Sequence, residues 1–358
     1  MKKCKIGGQG VMDGIMMRSV EKSALAVRKT SGEIELKVWK NKEQTSVWHK
    51  IPVIRGVISF INMMANGVNV LTDSAKMAGA SEETYEPSKL EKKIAQKTGK
   101  KAEDVMMVFA VAAALLMSVG LFFILPSFIT GLIKGSLKNR FLINLIDGAI
   151  RIVIFLAYII GVSFMHEIKV VFRYHGAEHK TISCYENELP LTAENVKPQK
   201  RLHPRCGTSY LLLVMIVSTL LYSCVPFGDN PFVKMGIKLL MLPVIAGVSY
   251  EVLQFLAKRE NWLVRILRWP GMQLQRLTTA EPDMDMINVA IVAFEAALGE
   301  KSREEIEAMR RSFAIGEAAE RQKRQEEMRA RIAELTREAQ EKAALQEEIT
   351  EVEADEQE

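Results

Sequence analysis

Val105–Ile133 reads VMMVFAVAAALLMSVGLFFILPSFITGLI, without one charged side chain. A helix needs roughly 20 mostly apolar residues to cross about 30 Å of hydrocarbon, so this stretch is long enough to span a bilayer by itself. Buried helices of globular domains seldom run so far without a polar residue. Pro126, late in the run, is a kink that a membrane helix tolerates. Tyr210–Phe227 and Leu239–Leu256 are apolar as well, the first at the short limit. Phe141–Met165 has the length but carries Asp147 and Arg151, spaced i, i+4 and one turn beyond Asn144. Charges at membrane depth are costly. The two either pair to fix helix packing, or serve a polar pathway or a lipid-headgroup contact.

These runs predict a mainly α polytopic membrane protein with about four transmembrane helices. A small N-terminal β-rich segment, an interfacial amphipathic helix and a charged helical C-terminal tail complete it. The expected division is 1–50 a β-hairpin segment, 51–104 the interfacial helix and linker, and 105–165 the first two spans. Then come 166–208, a His/Cys/Glu loop, 209–257, the last two spans, 258–300, interfacial helices, and 301–358, the tail. The mean hydropathy of +0.05 averages two unlike halves and describes neither.

Loop charges set the expected orientation. Lysines crowd the stretch before Val105, Arg265 and Arg268 follow the last span, and Lys169, Arg173, Lys180, Arg201 and Arg205 lie between spans two and three. The other two loops are shorter and poorer in charge. By the positive-inside bias both termini and the central loop face the cytoplasm. A formal charge of +5, with acidic and basic residues intermixed in the tail, is no basic stripe and argues against a nucleic-acid partner. The start, MKKCKIGGQG, lacks the apolar run of a signal peptide.

Outside the spans, Ala24–Val27 and Ile34–Trp39 flank Thr30-Ser31-Gly32, a hairpin signal. Gly7-Gly8-Gln9-Gly10 demands unusual backbone angles or a close backbone approach. Val53–Met77 shows an apolar stripe from Ile54 to Leu71 at helical period, and so amphipathic a helix is expected in the membrane interface. The opposite side, with Asn62 and Asn66, is either a solvated face or the lining of a polar site. Trp262, Arg265, Arg268 and Trp269 suit an aromatic and basic interfacial anchor. Glu281-Pro282-Asp283 opens a helix to about Leu298, and Ser302 to Glu305 is a capping box.

Four of the five histidines fall between residues 166 and 203. At the centre is His175-Gly176-Ala177-Glu178-His179, whose two imidazoles and carboxylate converge on one side of a helix. Two imidazoles suit zinc, and a neighbouring carboxylate can act as general base; the spacing is that of the inverted zincin signature. His203-Pro204-Arg205-Cys206-Gly207 offers a second imidazole and a thiol. His166, Glu167 and Glu186 are further candidates, and Glu251 lies about where an inverted zincin places its carboxylate ligand. Three readings compete: a catalytic metal with an open position, a closed structural metal held by His175, His179, His203 and Cys206, or polar histidines with no metal. Glu178 favours the first, because a closed structural site has no need of it.

The segments GGQGVMDGIMMRS, YHGAEHKTISCYE, HPRCGTSY and PGMQLQRLTTAEPD, in that order, resemble the YqhQ-like family of bacterial membrane proteins. That family is described as a domain of unknown function and a predicted metal-dependent enzyme. The resemblance covers roughly residues 5 to 298 and leaves the tail aside. It implies a metal and a bacterial plasma membrane, and its HxxEH and HPRCGTS motifs fall on His175, Glu178, His179, His203 and Cys206. Gly10 stands for the family's usual Ala, and Asp13 for its Glu.

The expectation is therefore a cytoplasmic-facing, zinc-type hydrolase. His175 and His179 bind the metal, His203, Cys206 or Glu251 completes the site, and Glu178 serves as base. The alternative is a non-enzymatic scaffold, insertion factor or transporter with a structural metal loop. In either case the lipid bilayer is one partner, and the tail suits a membrane or cytoplasmic protein.

Overall fold

A computed structural model of the chain describes residues 6–41, 47–79, 102–133, 135, 139–204, 206–225, 230–257, 259, 261–314, 328 and 331. The lysine-rich stretch before Val105, Arg205 and nearly all of the charged tail lie outside the described residues.

Four strands form one antiparallel meander: β1 (Gly7–Val11), β2 (Gly14–Arg18), β3 (Lys22–Arg28) and β4 (Ile34–Lys40). The β3–β4 hairpin turns at the expected place, where Gly32 takes φ 94°. The glycine run is itself strand β1, with Gly8 opposite Met17 and Gly10 opposite Ile15, and neither has a positive φ. Close approach, not unusual backbone angles, explains these glycines. A Cβ on Gly10 would stand 2.5 Å from the Val171 carbonyl oxygen and 2.8 Å from the His175 nitrogen.

The helices are α1 (Ile54–Met77), α2 (Ala102–Val119), α3 (Leu125–Ile133), α4 (Arg140–Ser163), α5 (His166–Glu186) and α6 (Ala193–Val196). They continue with α7 (Thr208–Cys224), α8 (Pro231–Leu240), α9 (Leu242–Ala257), α10 (Trp262–Thr278) and α11 (Met284–Leu298). A π turn, Gly120–Ile124, joins α2 to α3. Pro126 has no N–H to donate and its ring crowds the preceding turn, and the wider turn just before it absorbs both effects.

Four helical runs are long and apolar enough to cross a membrane: Ile54–Met77, Val108–Ile133, Arg140–Ser163 and Val233–Leu256. The count agrees with the expectation, but the membership differs. Thr208–Cys224 has 17 residues, about 25 Å of helix at ~1.5 Å per residue. One side packs against α4, α9 and α10, which is why its Ser218, Thr219, Tyr222 and Ser223 are buried, while Leu211 and Leu220 stay exposed. Conversely α1, expected in the interface, has the length and hydropathy of a span. Its stripe residues Ile61, Met64, Val68 and Leu71 are exposed, as are Asn62 and Asn66. Both ends of α1 are held. Gly56 packs on Gly247 and Tyr250 of α9, while Val70 and Ala78 pack under Val11, Met16, Leu25 and Val27 of the sheet.

The other sheet face, with Ile15, Met17, Ala24 and Ala26, meets Tyr174, Ala177 and Ile182 of α5 and most of α11. Asp283 caps α11, its Oδ1 accepting from the Met286 N–H at 2.8 Å. Burial extends beyond the expected stripe because the sheet, α5 and the helical residues 303–314 surround α11. Each fully buried Ile or Phe there contributes about 1.5–3 kcal/mol. The capping box forms: Ser302 N–H donates to Glu305 at 2.7 Å, and Glu305 N–H to Ser302 Oγ at 3.2 Å. The segment expected as a His-rich loop is mostly helix α5, 21 residues long.

Candidate metal centre

Helix α5 follows α4 almost directly, with Glu167 in its first turn, where a carboxylate complements the helix dipole. His175 and His179, one turn apart, project from the same side. His175 Nε2 lies 3.1 Å from Cys206 Sγ, while its Nδ1 lies 2.9 Å from the Thr278 carbonyl oxygen. His179 Nδ1 lies 2.5 Å from the Arg201 carbonyl oxygen. A carbonyl only accepts, so each Nδ1 carries a proton and donates. Both Nε2 atoms are thereby turned to the interior, the outer-layer arrangement that orients metal-ligating imidazoles.

One ligand atom each from His175, His179 and Cys206 lie within 4.8 Å of one another, and all three residues are buried. His179 Nε2 is buried with no hydrogen-bond partner, a defect that costs about 1–3 kcal/mol if nothing meets it. The Cys206 sulfur is oriented by the Thr208 N–H at 3.4 Å and by Thr208 Oγ1 at 3.1 Å. Two imidazoles and a thiol around an unmet nitrogen fit a zinc-type ion; these three residues can hold a metal.

Glu178 precedes His179 on α5 and is not one of the three clustered residues. Its Oε1 accepts the Gly8 N–H at 2.7 Å, and its Oε2 is buried without a partner. Burial raises the carboxyl above the usual carboxylate range, while His175 and the Gly8 N–H pull it the other way. The close β1–α5 packing allowed by Gly10 is what brings this N–H within reach.

The fourth motif closes the site from the far side. Gln275, fully buried, accepts the His203 N–H at 2.9 Å and donates to the His203 carbonyl at 2.8 Å and to Ser209 Oγ at 3.1 Å. The Ala280 carbonyl sits so close to Gly176 that an added Cβ would lie 2.0 Å from it. Arg173 pairs with Asp283 at 3.0 Å, and Lys180 pairs with Glu281. All four motifs that carry the family resemblance thus pack around one centre.

Other candidates go elsewhere. His203 Nε2 faces Glu186 Oε2 at 3.2 Å, with its ring 5.8 Å from that of His179. The structure does not bring Glu251 to the centre: its carboxylate accepts from Arg55 Nε at 2.7 Å and from the Val53 N–H at 3.3 Å, tying α9 to the start of α1. His166 is exposed at the head of α5, near enough to Asp13 to lower a carboxyl that partial burial raises. Asn62 and Asn66 are exposed on α1 and line no site with these residues.

Asp147 and Arg151 do pair, at 2.9 Å, and the cluster is larger than their spacing suggests. Lys238 Nζ lies 2.8 Å from the same Asp147 oxygen, and Ser127 Oγ donates to the other at 3.0 Å. Asn144 donates to the Tyr222 carbonyl at 3.1 Å. Sequence reasoning missed Lys238 because its partner is 91 residues away. It also missed the carbonyls of Thr278 and Arg201, since every residue has one. Gln275 was findable, as an amide within the PGMQLQRLTTAEPD motif.

The fold and the site define a class: a helical protein with four candidate membrane spans, capped by a small sheet-and-helix unit that encloses a buried His/His/Cys centre. The chain belongs to the family described as protein of unknown function (DUF1385), whose model matches residues 51–300. It is similar to the uncharacterized protein YqhQ of Bacillus subtilis (strain 168), 34% identical over 299 residues, which cover 82% of this chain and 92% of that protein. No solved structure matches it.

Proposed function

We propose that this protein is a metal-dependent hydrolase of the bacterial plasma membrane, with its centre and both termini on the cytoplasmic side. One observation carries the reading: His179 Nε2 and Glu178 Oε2, on consecutive residues of α5, are both buried without a partner. His175, His179 and Cys206 would hold the ion, zinc being the one this donor set suits. A divalent ion there supplies Lewis-acid activation of water and of the substrate's carbonyl or phosphoryl oxygen. Glu178, steadied at Oε1 by the Gly8 N–H, takes the proton from the attacking water at Oε2. The carbonyls of Thr278 and Arg201 hold the two rings in register. The tail recruits a protein partner, and nucleic acid is not a substrate.

A second reading is a scaffold or insertion factor whose metal is structural. The position of His203 favours it: a swing away from Glu186 would offer a fourth ligand and close the site. Metal content of the purified protein, wild type against Glu178→Gln and His179→Ala, separates the two when set beside complementation in cells. Catalysis requires that Glu178→Gln keep stoichiometric metal and lose function. If Glu178→Gln functions fully while His179→Ala collapses, the metal is structural. A wild type with no bound metal overturns both.

A further inference from the structure

A cavity of about 240 Å³ opens between α7, α9 and α10, on the flank of the metal centre. Leu212, Leu213, Ile216 and Leu253 make up much of its wall. At one end stand Pro204 and Ser209, which bracket Cys206 in the chain, and Ser209 is held by the same Gln275 that holds His203. The cavity therefore ends at the loop that supplies the thiol. Two of its helices belong to the apolar bundle, and the third, α10, exposes Trp262, Leu263, Ile266, Leu267 and Trp269 along one side. Trp beside apolar and basic residues is the composition of a membrane interface.

Charge and size narrow the occupant. Arg268 lines the cavity and donates to the Leu256 and Arg259 carbonyls, which sets its guanidinium at the end of α9; Arg259 and Arg265 are exposed nearby. Guanidinium groups match phosphate oxygens in geometry as well as charge. The volume falls just below the ~300–1,000 Å³ of pockets that enclose a whole drug-sized ligand, so it suits one linear chain and not a complete two-chain lipid. An apolar space opening toward hydrocarbon fills with hydrocarbon more favourably than with water.

We propose that this cavity holds one acyl chain of an anionic glycerophospholipid, with the phosphate at Arg268 and the ester region facing the Pro204–Ser209 loop. As an assignment of substrate class this rests on the hydrolase reading; as a chain-binding site it stands without it. The test uses the full-length protein in phosphatidylglycerol vesicles doped with phosphatidylglycerol that carries a diazirine on its acyl chain. Crosslinks are mapped by mass spectrometry and metal content is measured in parallel. Labels are expected on Leu213, Ile216 and Leu253. Leu213→Trp/Ile216→Trp, which fills the cavity, should lower the Leu253 label about tenfold with metal retained, and the milder Leu253→Phe should lower the Leu213 label. Arg268→Gln should remove the preference for phosphatidylglycerol over phosphatidylcholine. Labels confined to outward-facing Leu220 and Phe255, unchanged in the variants, overturn the proposal. His179→Ala keeps the two readings apart: lost metal with undiminished labelling supports the chain site whatever becomes of catalysis. Metal-dependent activity without cavity labelling overturns the chain site and leaves the hydrolase standing.

Discussion

Glycine and glutamine, not the histidines alone, make the centre possible. Gly10 and Gly176 are the points where strand β1 and the Ala280 segment touch α5, and Gly8 lies against the Met16 carbonyl of β2; each leaves no room for a methyl group. Gly176→Ala is expected to force the Ala280 segment from α5 and cost about 1–3 kcal/mol, the usual range for overpacking. Thermal unfolding in detergent measures the loss, and bound metal should fall with it. Gln275→Leu keeps the volume but removes the hydrogen bonds to His203 and Ser209. Leaving those buried groups unmet costs about 1–3 kcal/mol. Because the amide positions the ligand loop, metal affinity should drop roughly 10–100-fold, the range for outer partners of a metal site. A chelator competition assay reads that change, and unaltered affinity would mean that Gln275 only packs.

At the scale of elements, α4, α3 and α8 meet through a single carboxylate. Asp147 serves Arg151 and Lys238 at once, and both cations are almost fully buried. Arg151 also stacks its guanidinium 5.1 Å from the centre of the Tyr222 ring, which brings α7 into the same cluster. Asp147→Asn removes the one carboxylate that pairs with these two cations among the described residues, so it should destabilise the bundle by about 3–5 kcal/mol. The double variant Asp147→Asn/Lys238→Met should recover part of that, because one stranded charge leaves with its partner. Equal stability of the single variant and wild type by thermal unfolding would show that the cluster holds no helices together.

For the whole molecule, α1 is the tie between its two parts. One end is clamped to α9 by Gly56 against Gly247 and by Arg55 with Glu251; the other packs under the sheet. The His/His/Cys centre lies beyond the end of α4 that leads into α5, the side that the proposed orientation assigns to the cytoplasm. A cysteine introduced by Glu188→Cys, in a background that keeps the buried Cys206 but lacks the exposed Cys224, should react with an impermeant maleimide only after the cells are opened. Labelling in intact cells would reverse the orientation.

Val105–Ile133 determined the class of protein by itself, because the cost of an unmet polar group in hydrocarbon is local and is read from one stretch of chain. His175, Glu178 and His179 were equally legible, since helical period alone puts them together. Periodicity also placed α11 and the β3–β4 hairpin. It could not rank α1 against α7, because both are apolar: α7 has 17 residues and packs on α4, α9 and α10, and only the structure shows one end of α1 under the sheet and the other on α9. Tertiary structure alone chose Cys206 over Glu251 as the third member of the centre and gave Asp147 a second cation. Ligand sets and ion pairs form across loops whose closure the sequence does not state, and a side chain's partner is decided by what the fold brings within about 3 Å of it.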